Sequence, residues 1–132
     1  MTAAAAVADG LTNLAVRCEQ ASPADSVGLI DAFIKLAGER ADLPDLTPEA
    51  VATARLLARA GAIETAALRL VPCDVTLTGG LFEQRSYVVA QAVLPGQRVG
   101  VHSKGARTLG AGWLAAYLRA LARPPGAIDD DD

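Results

Sequence analysis

The fold is decided where the hydrophobic pattern of the chain changes, in the stretch Ala66-Ala67-Leu68-Arg69-Leu70-Val71-Pro72-Cys73-Asp74-Val75-Thr76-Leu77-Thr78. Before Pro72, apolar residues recur at the three-to-four-residue spacing of a helix. After it, apolar and polar residues alternate, which is typical of a half-buried strand. Proline removes an amide donor and disfavours helix in the residue before it, so a helix is expected to end at Val71. The chain therefore divides into a helical half, 1–71, and a sheet-plus-helix half, 72–123.

Three helices are predicted in the first half. The first covers 3–20, with one apolar stripe at helical spacing. The second and third begin at Ser22-Pro23 and Thr47-Pro48, where a capping side chain precedes a proline suited to the first helical position. The third runs from 48 toward 71, with Gly61 as a possible break within it.

Three strands and a last helix are predicted in the second half. The strands cover 73–78, 85–94 and 97–102, with Gly79-Gly80 opening the first connection and Pro95-Gly96 forming a type II turn. Short connections favour an antiparallel meander. The middle strand is apolar on both faces, so helices are expected to cover both. A final helix at about 107–122 is expected to pack on the sheet.

These patterns predict an α+β fold with three N-terminal helices, a three-stranded antiparallel meander and a C-terminal helix. The 132 residues correspond to one domain, expected over 1–126, followed by an acidic mobile tail at 127–132. Hydrophobic residues make up 52% of the chain, which excludes general disorder. No stretch predicts a membrane span or a signal peptide, so a cytoplasmic protein is expected, with both cysteines reduced and buried.

The charge balance argues against general nucleic-acid binding. The formal net charge is −3, and four of the 15 acidic residues are Asp129 to Asp132. The rest of the chain carries about +1 (−3 plus 4), without the basic excess of a nucleic-acid binder. The acidic run itself is typical of a solvated tail.

No set of residues predicts catalysis or metal binding. The single histidine, His102, and Cys73 are expected at opposite ends of strands that run in the same direction, about 20 Å apart at ~3.3 Å per residue. One His and two Cys do not supply the spacing of a metal site. We therefore expect a protein that is not an enzyme and uses no cofactor or metal.

Two segments are candidates for binding. The 103–108 segment, read as a loop before the last helix, offers Lys104, Gly105, Arg107 and Thr108 to an anion. The alternative for this segment is an ordinary capped connection. In the second segment, 79–84, Leu81 and Phe82 stand where polar residues are usual. They either fold back onto the core or form a contact patch for a partner, together with Gln84 and Arg85.

The stretch from about 62 to 122 resembles the phage ABA-sandwich family of small phage proteins. The resemblance lies in Ala66-Ala67-Leu68-Arg69-Leu70-Val71-Pro72 and Leu109-Gly110-Ala111-Gly112-Trp113-Leu114-Ala115-Ala116-Tyr117-Leu118-Arg119-Ala120-Leu121. The family's usual strand tryptophans and the Ala-Thr-Pro start of its closing helix are missing here. The resemblance implies helix–sheet–helix layering and a phage or prophage origin, and it carries over no catalytic residue.

The sequence thus favours a small, non-enzymatic interaction protein, with a protein partner or a second copy bound through Leu81, Phe82, Gln84 and Arg85. A phage-encoded accessory or structural protein, or an inhibitor of a host system such as an anti-defence protein, would fit. The alternative is a small-molecule or phosphate-ligand protein, or a small enzyme, that uses the 103–108 segment.

Overall fold

The computed structural model describes residues 3–41, 43, 45–81, 87–98 and 100–123, with the side chains of 3–9 and 81 excepted. Its elements are α1 (Ala3–Gln20), a 3-10 turn (Pro23–Asp25), α2 (Ser26–Glu39), α3 (Pro48–Arg59), α4 (Ile63–Leu70), β1 (Thr76–Leu81), β2 (Val88–Val93), β3 (Val101–Ala106) and α5 (Leu109–Ala122). The α+β class, the three-stranded antiparallel sheet and the packing of the last helix on that sheet are confirmed.

The predicted third helix is in fact two helices, so the described chain has five. Gly61 ends α3 with a φ of 85°, a left-handed conformation that glycine adopts at little cost. The Ala62 amide donates to the Leu57 carbonyl at 2.8 Å and the Gly61 amide donates to the Ala58 carbonyl at 3.1 Å. These two bonds satisfy carbonyls that a helix end leaves free. The possible break at Gly61 is therefore a helix end, and α4 begins two residues later at Ile63.

The predicted strand boundaries were wrong at both edge strands. The Val75 amide donates to the Pro72 carbonyl at 3.1 Å, so a turn precedes β1, and Cys73 is exposed instead of buried in a strand. Gly79 and Gly80 lie inside β1. A Cβ on Gly79 would come within 2.6 Å of the Val89 carbonyl oxygen, so glycine here lets β1 approach β2 and does not open a loop.

The third strand begins four residues later than expected, at Val101, and the predicted 103–106 loop is strand. Pro95-Gly96 does form the expected turn, since the Gln97 amide donates to the Leu94 carbonyl at 3.1 Å. The strand continues through Ser103 because its buried hydroxyl donates a hydrogen bond to Glu19 of α1. A serine in a sequence does not reveal such a distant partner.

Helices cover one face of the sheet. On that face β2 presents Val88, Ala90 and Ala92, all buried, and α5 and α1 pack there. The prediction that the middle strand is covered on both faces was wrong, because Val89, Gln91 and Val93 on the other face are only half-buried.

Helix α5 is the centre of the molecule. It contacts all three strands on one side and α1 and α4 on the others, and its Tyr117 ring lies 6.3 Å from the ring of Phe33 in α2. Small residues make this possible: a Cβ on Gly110 would lie 2.7 Å from the backbone carbonyl of Ile63. The two N-terminal helix ends, of α4 and α5, therefore touch through their backbones.

A buried polar cluster ties α1, β3 and α5 together. The Arg119 guanidinium donates to Glu19 at 2.7 Å and 2.6 Å, through Nε to Oε2 and through Nη2 to Oε1. The Ser103 hydroxyl donates to the same carboxylate at 2.7 Å. The hydrogen bond to Glu19 is the main reason that the pKa of Arg119 is raised above its ordinary value. The cluster thus holds a partly buried ion pair, in which both carboxylate oxygens of Glu19 accept hydrogen bonds.

Candidate interaction surface

Helices α3 and α4 form a hairpin whose start and turn are fixed by local signals. The Thr47 hydroxyl accepts a hydrogen bond from the Ala50 amide at 3.0 Å, and Pro48 occupies the first turn. Both features were expected from the sequence. The hairpin packs on α2 and α5, and small side chains, Ala54 and Ala58, form its buried contacts from α3.

The solvent side of α3 is a continuous stripe at helical spacing. Beyond Pro48 and Glu49, which are exposed in the first turn of α3, the exposed residues recur three and four positions apart and consist of Ala52, Arg55, Leu56, Arg59 and the C-capping Ala60. On α4 the exposed positions are Thr65, Leu68 and Arg69. We call these eight residues the hairpin stripe.

Leu56 and Leu68 are the two strongly exposed large apolar side chains of the described chain, at 67% and 52% of their full accessibility. At 1.5 Å per helical residue, Leu56 lies about 6 Å along α3 from Ala60, and Leu68 lies about 8 Å along α4 from Ile63. Leu56 is therefore near the turn that joins the two helices, whereas Leu68 lies in the last turn of α4. Single exposed leucines are ordinary on a surface, so what singles out these two is their placement on a pair of consecutive helices.

The charged groups of the hairpin stripe are arginines. Arg55 donates to Asp31 of α2 at 2.9 Å, in a pair of which both side chains are about half exposed. Within the described residues, Arg59 and Arg69 have no hydrogen bond or ion pair. The carboxylate of Glu64, also on α4, accepts from the Gly110 amide at 3.0 Å. The charged residues nearest to Leu56 and Leu68 in sequence are consequently arginines, whereas Glu49 places an exposed carboxylate at the start of α3.

The predicted contact patch that contains Leu81, Phe82, Gln84 and Arg85 lies largely outside the described residues. This is the case for Phe82, Gln84 and Arg85. The backbone of Leu81 ends β1, where it pairs with Val88. The suggestion that these residues form a contact patch therefore stays a prediction.

The predicted anion-binding segment, 103–108, does not bring its residues together. Lys104 lies in β3 opposite Val89, on the sheet face away from α5, while Gly105 has a φ of 105° next to a register shift. Arg107 is exposed, and Thr108 accepts from the Ala111 amide at 3.2 Å, as the cap of α5.

The first turn of α5 already holds an internal anion. The Gly110 amide, which would have faced a bound phosphate, donates to the Glu64 carboxylate. Anion binding by Lys104, Gly105, Arg107 and Thr108 stays a prediction, but it requires Glu64 to be displaced from this amide.

The argument that separated His102 from Cys73 was wrong in its geometry. His102 is the second residue of β3, and Gln91 joins it across the sheet to Thr78 of β1. Both edge strands thus begin at the same end of the sheet. Among the contacts of the described residues, none joins His102 to Cys73, and the neighbouring Ser103 faces the other way, toward Glu19.

Neither a metal-binding cluster nor a membrane-spanning helix is found among the described residues. They contain no group of three His, Cys, Asp or Glu side chains arranged to hold a metal ion. None of their helices combines the length and apolar character that crossing a membrane requires. Comparison with protein-family models, curated proteins and solved structures finds no match to this chain.

Proposed function

We propose that this chain is a non-enzymatic protein that acts by binding another protein through the hairpin stripe. The observation that carries the proposal is the placement of Leu56 and Leu68, the two large apolar side chains left exposed in the described chain, on one helical hairpin. The unpaired arginines beside them, Arg59 and Arg69, belong to a residue type that protein interfaces favour.

Burial of the two leucines gives the interaction its driving force. Covering a fully exposed leucine contributes about 1.5–3 kcal/mol, and each of these is about half to two-thirds exposed. Rigid helices hold them, so little backbone entropy is lost when a partner binds. Arg59 and Arg69 would then select among partners by charge.

A role for Leu81, Phe82, Gln84 and Arg85 is part of the same proposal. In the sequence, Phe82, Gln84 and Arg85 lie between β1 and β2, and Leu81 is the last residue of β1. The resemblance of 62–122 to small phage proteins is what favours a phage or prophage source, and an accessory protein or an inhibitor of a host system is the corresponding role.

The test is to immobilise the chain and a Leu56→Asp/Leu68→Asp variant, recover bound proteins from a bacterial extract and measure the purified candidate by titration calorimetry. The expected result is a stoichiometric complex that the double variant loses, with its thermal midpoint unchanged. A matched pair, Leu81→Asp/Phe82→Asp, reports on the other segment. The proposal fails if the hairpin variant binds every partner, including a second copy, as the original chain does.

A further inference from the structure

We propose that the outer edge of β1 pairs with β1 of a second copy of this chain, antiparallel and centred on Thr78, so that two three-stranded sheets become one sheet of six strands. This interface is separate from the hairpin stripe, and the inference therefore goes beyond the proposed function.

The first argument is that β1 is an edge strand. The strand order is β1-β2-β3, so β1 has a neighbouring strand on one side only. In an antiparallel ladder every second residue of an edge strand turns its amide and carbonyl outward. Apart from its pairing with β2, β1 has no backbone hydrogen bond to any described residue. A strand from another chain supplies partners for these outward groups.

The second argument is a difference between the two edges of the sheet. Natural edge strands are protected from pairing by charged side chains, prolines, bulges or a covering element. Strand β3 has Lys104 and a bulge at Gly105, and α1 packs against it. Strand β1 has no charged residue, no proline and no register shift against β2. The nearest described charge in sequence, Asp74, precedes the strand. The edge that lacks protection is therefore that of β1.

The third argument selects a second copy as the occupant, and it is the distribution of side-chain size along β1. Reversing the strand about Thr78 places Leu77 opposite Gly79. It also places Thr76 opposite Gly80. Directly opposite residues point to the same face, so each glycine of one copy meets a larger side chain of the other. A Cβ at Gly80 would meet no described atom within 4 Å, which leaves room there. Two identical strands are thus complementary, as a two-fold interface requires.

The apolar layer on the helix side of this edge favours the same pairing. Leu77 points to the face that α5 covers, since it pairs with buried Ala92, but it is only partly buried. Leu109 of α5 is also partly buried, and its Cδ1 lies 3.2 Å from the position of a Cβ on Gly79. Pairing about Thr78 brings Leu77 of one copy beside Leu109 of the other. The apolar layer then continues from one sheet to the next and covers both leucines.

The experiment is sedimentation velocity with native mass spectrometry on the full chain, in reducing buffer at low and at high salt. The expected result is a dimer at both salt concentrations, because β1 pairs without charged groups. Thr78→Arg should raise the dissociation constant at least about tenfold, since two like charges then lie directly opposite each other. Thr78 is exposed, so this variant should keep the thermal midpoint of the original chain.

His102→Arg is the matched control. His102 and Thr78 are both exposed and both pair with Gln91, from opposite edges of the same sheet face. The control therefore adds the same charge at the edge that the proposed dimer does not use, and it should dimerise as the original chain does.

A mixture of two variants tests the position of the two-fold axis, because Thr78 lies opposite itself in this pairing. Thr78→Arg and Thr78→Glu should each be mainly monomeric, and mixing them should give a mixed dimer that native mass spectrometry identifies by its mass. In a Cys73→Ser background, Thr78→Cys should form a disulfide-linked dimer, since opposite Cα atoms of a ladder lie about 4.5–5.5 Å apart. His102→Cys in the same background should not.

The inference is overturned if the original chain is monomeric at every concentration, if Thr78→Arg dimerises as well as the original chain, or if Thr78→Cys cross-links no more than His102→Cys. A monomer that takes up an extended peptide at β1 also overturns the second copy as the occupant. The proposed function fails or stands separately, because Leu56→Asp/Leu68→Asp should leave this dimer intact. A dimer lost in that variant but kept in Thr78→Arg would overturn the β1 pairing and leave the hairpin stripe as a protein-binding surface.

Discussion

Helices α5 and α3 are similar in length, at 14 and 12 residues, and both are rich in alanine, but their surroundings are opposite. Nine residues of α5 are buried, on every side of the helix, whereas α3 buries only Ala54 and Ala58. In α5 glycine and alanine let neighbours approach from all directions. In α3 only Ala54 and Ala58 face inward, and Ala52 and Leu56 lie with arginines toward solvent. Composition alone therefore does not decide whether an alanine-rich helix lies in the core or on the surface. The positions of its charged residues decide it.

The largest expected effect comes from making the same substitution, leucine to alanine, in both helices. Leu118 of α5 is fully buried, so Leu118→Ala should lower the free energy of unfolding by about 3–4 kcal/mol, as lost burial and a cavity add. Leu56→Ala should change it by less than about 0.5 kcal/mol. Urea unfolding of both variants measures the difference. Equal losses would show that Leu56 is covered in solution.

Glycine substitutions sharpen the same contrast. Gly110→Ala would force α4 and α5 apart, since the new Cβ meets the Ile63 carbonyl, and should cost about 1–3 kcal/mol of unfolding free energy. Gly28→Ala in α2 meets no atom within 4 Å and should stabilise the protein by up to about 1 kcal/mol. Thermal unfolding of the pair is the measurement, and a neutral Gly110→Ala would mean that the two helix ends can separate freely.

The two ion pairs provide the next comparison. Glu19 is 12% exposed and accepts from both Arg119 and Ser103, so Glu19→Gln should lower the unfolding free energy by about 2 kcal/mol, because a partly buried arginine loses its counter-charge. Asp31→Asn, in the exposed pair with Arg55, should cost less than about 1 kcal/mol. Denaturant titration at matched ionic strength decides between them. If Glu19→Gln lowers the unfolding free energy no more than Asp31→Asn does, the burial of Glu19 is contradicted.

The smallest effect concerns the cysteines. Burial raises the pKa of the Cys18 thiol to about 12, from an ordinary value of 9.0, while Cys73 is exposed. At neutral pH only Cys73 should react with iodoacetamide, and both should react in denaturant. Because the unfolded thiol loses its proton first, stability should be full below about pH 9 and fall as pH rises toward 12. Mass spectrometry and a Cys18→Ala control, which removes the Cys18 contribution to that fall, check this.

Most of the fold follows from local patterns that can be read in sequence. The period change at Pro72, the caps at Thr47 and the turn at Pro95-Gly96 act over a few residues, and the structure contains all three. The errors arise where a distant group decides. Ser103 is buried because Glu19, 84 residues away in sequence, accepts its hydrogen bond. Gly79 is a strand residue because Val89 approaches it closely.

The candidate surface was missed for a related reason. A single helix over 48–71, as predicted, does not indicate that Leu56 and Leu68 both face solvent. With the helix end at Gly61, Leu68 lies on the solvent side of a second helix. The signal was present in Gly61 and in the arginines that follow the exposed stripe, Arg55, Arg59 and Arg69. Only the packing of the hairpin on α2 and α5 tells which side they occupy.

The central position of α5 has a consequence for synthesis of the protein. The helix that joins the sheet to α1 and α4 is also the last described element to leave the ribosome. Until about residue 122 is available, α1, α4 and one face of the sheet have no common neighbour, and their apolar sides stay uncovered. The packed core of this domain therefore cannot be completed before α5 has been synthesised, and the apolar sides of the earlier elements stay exposed until then.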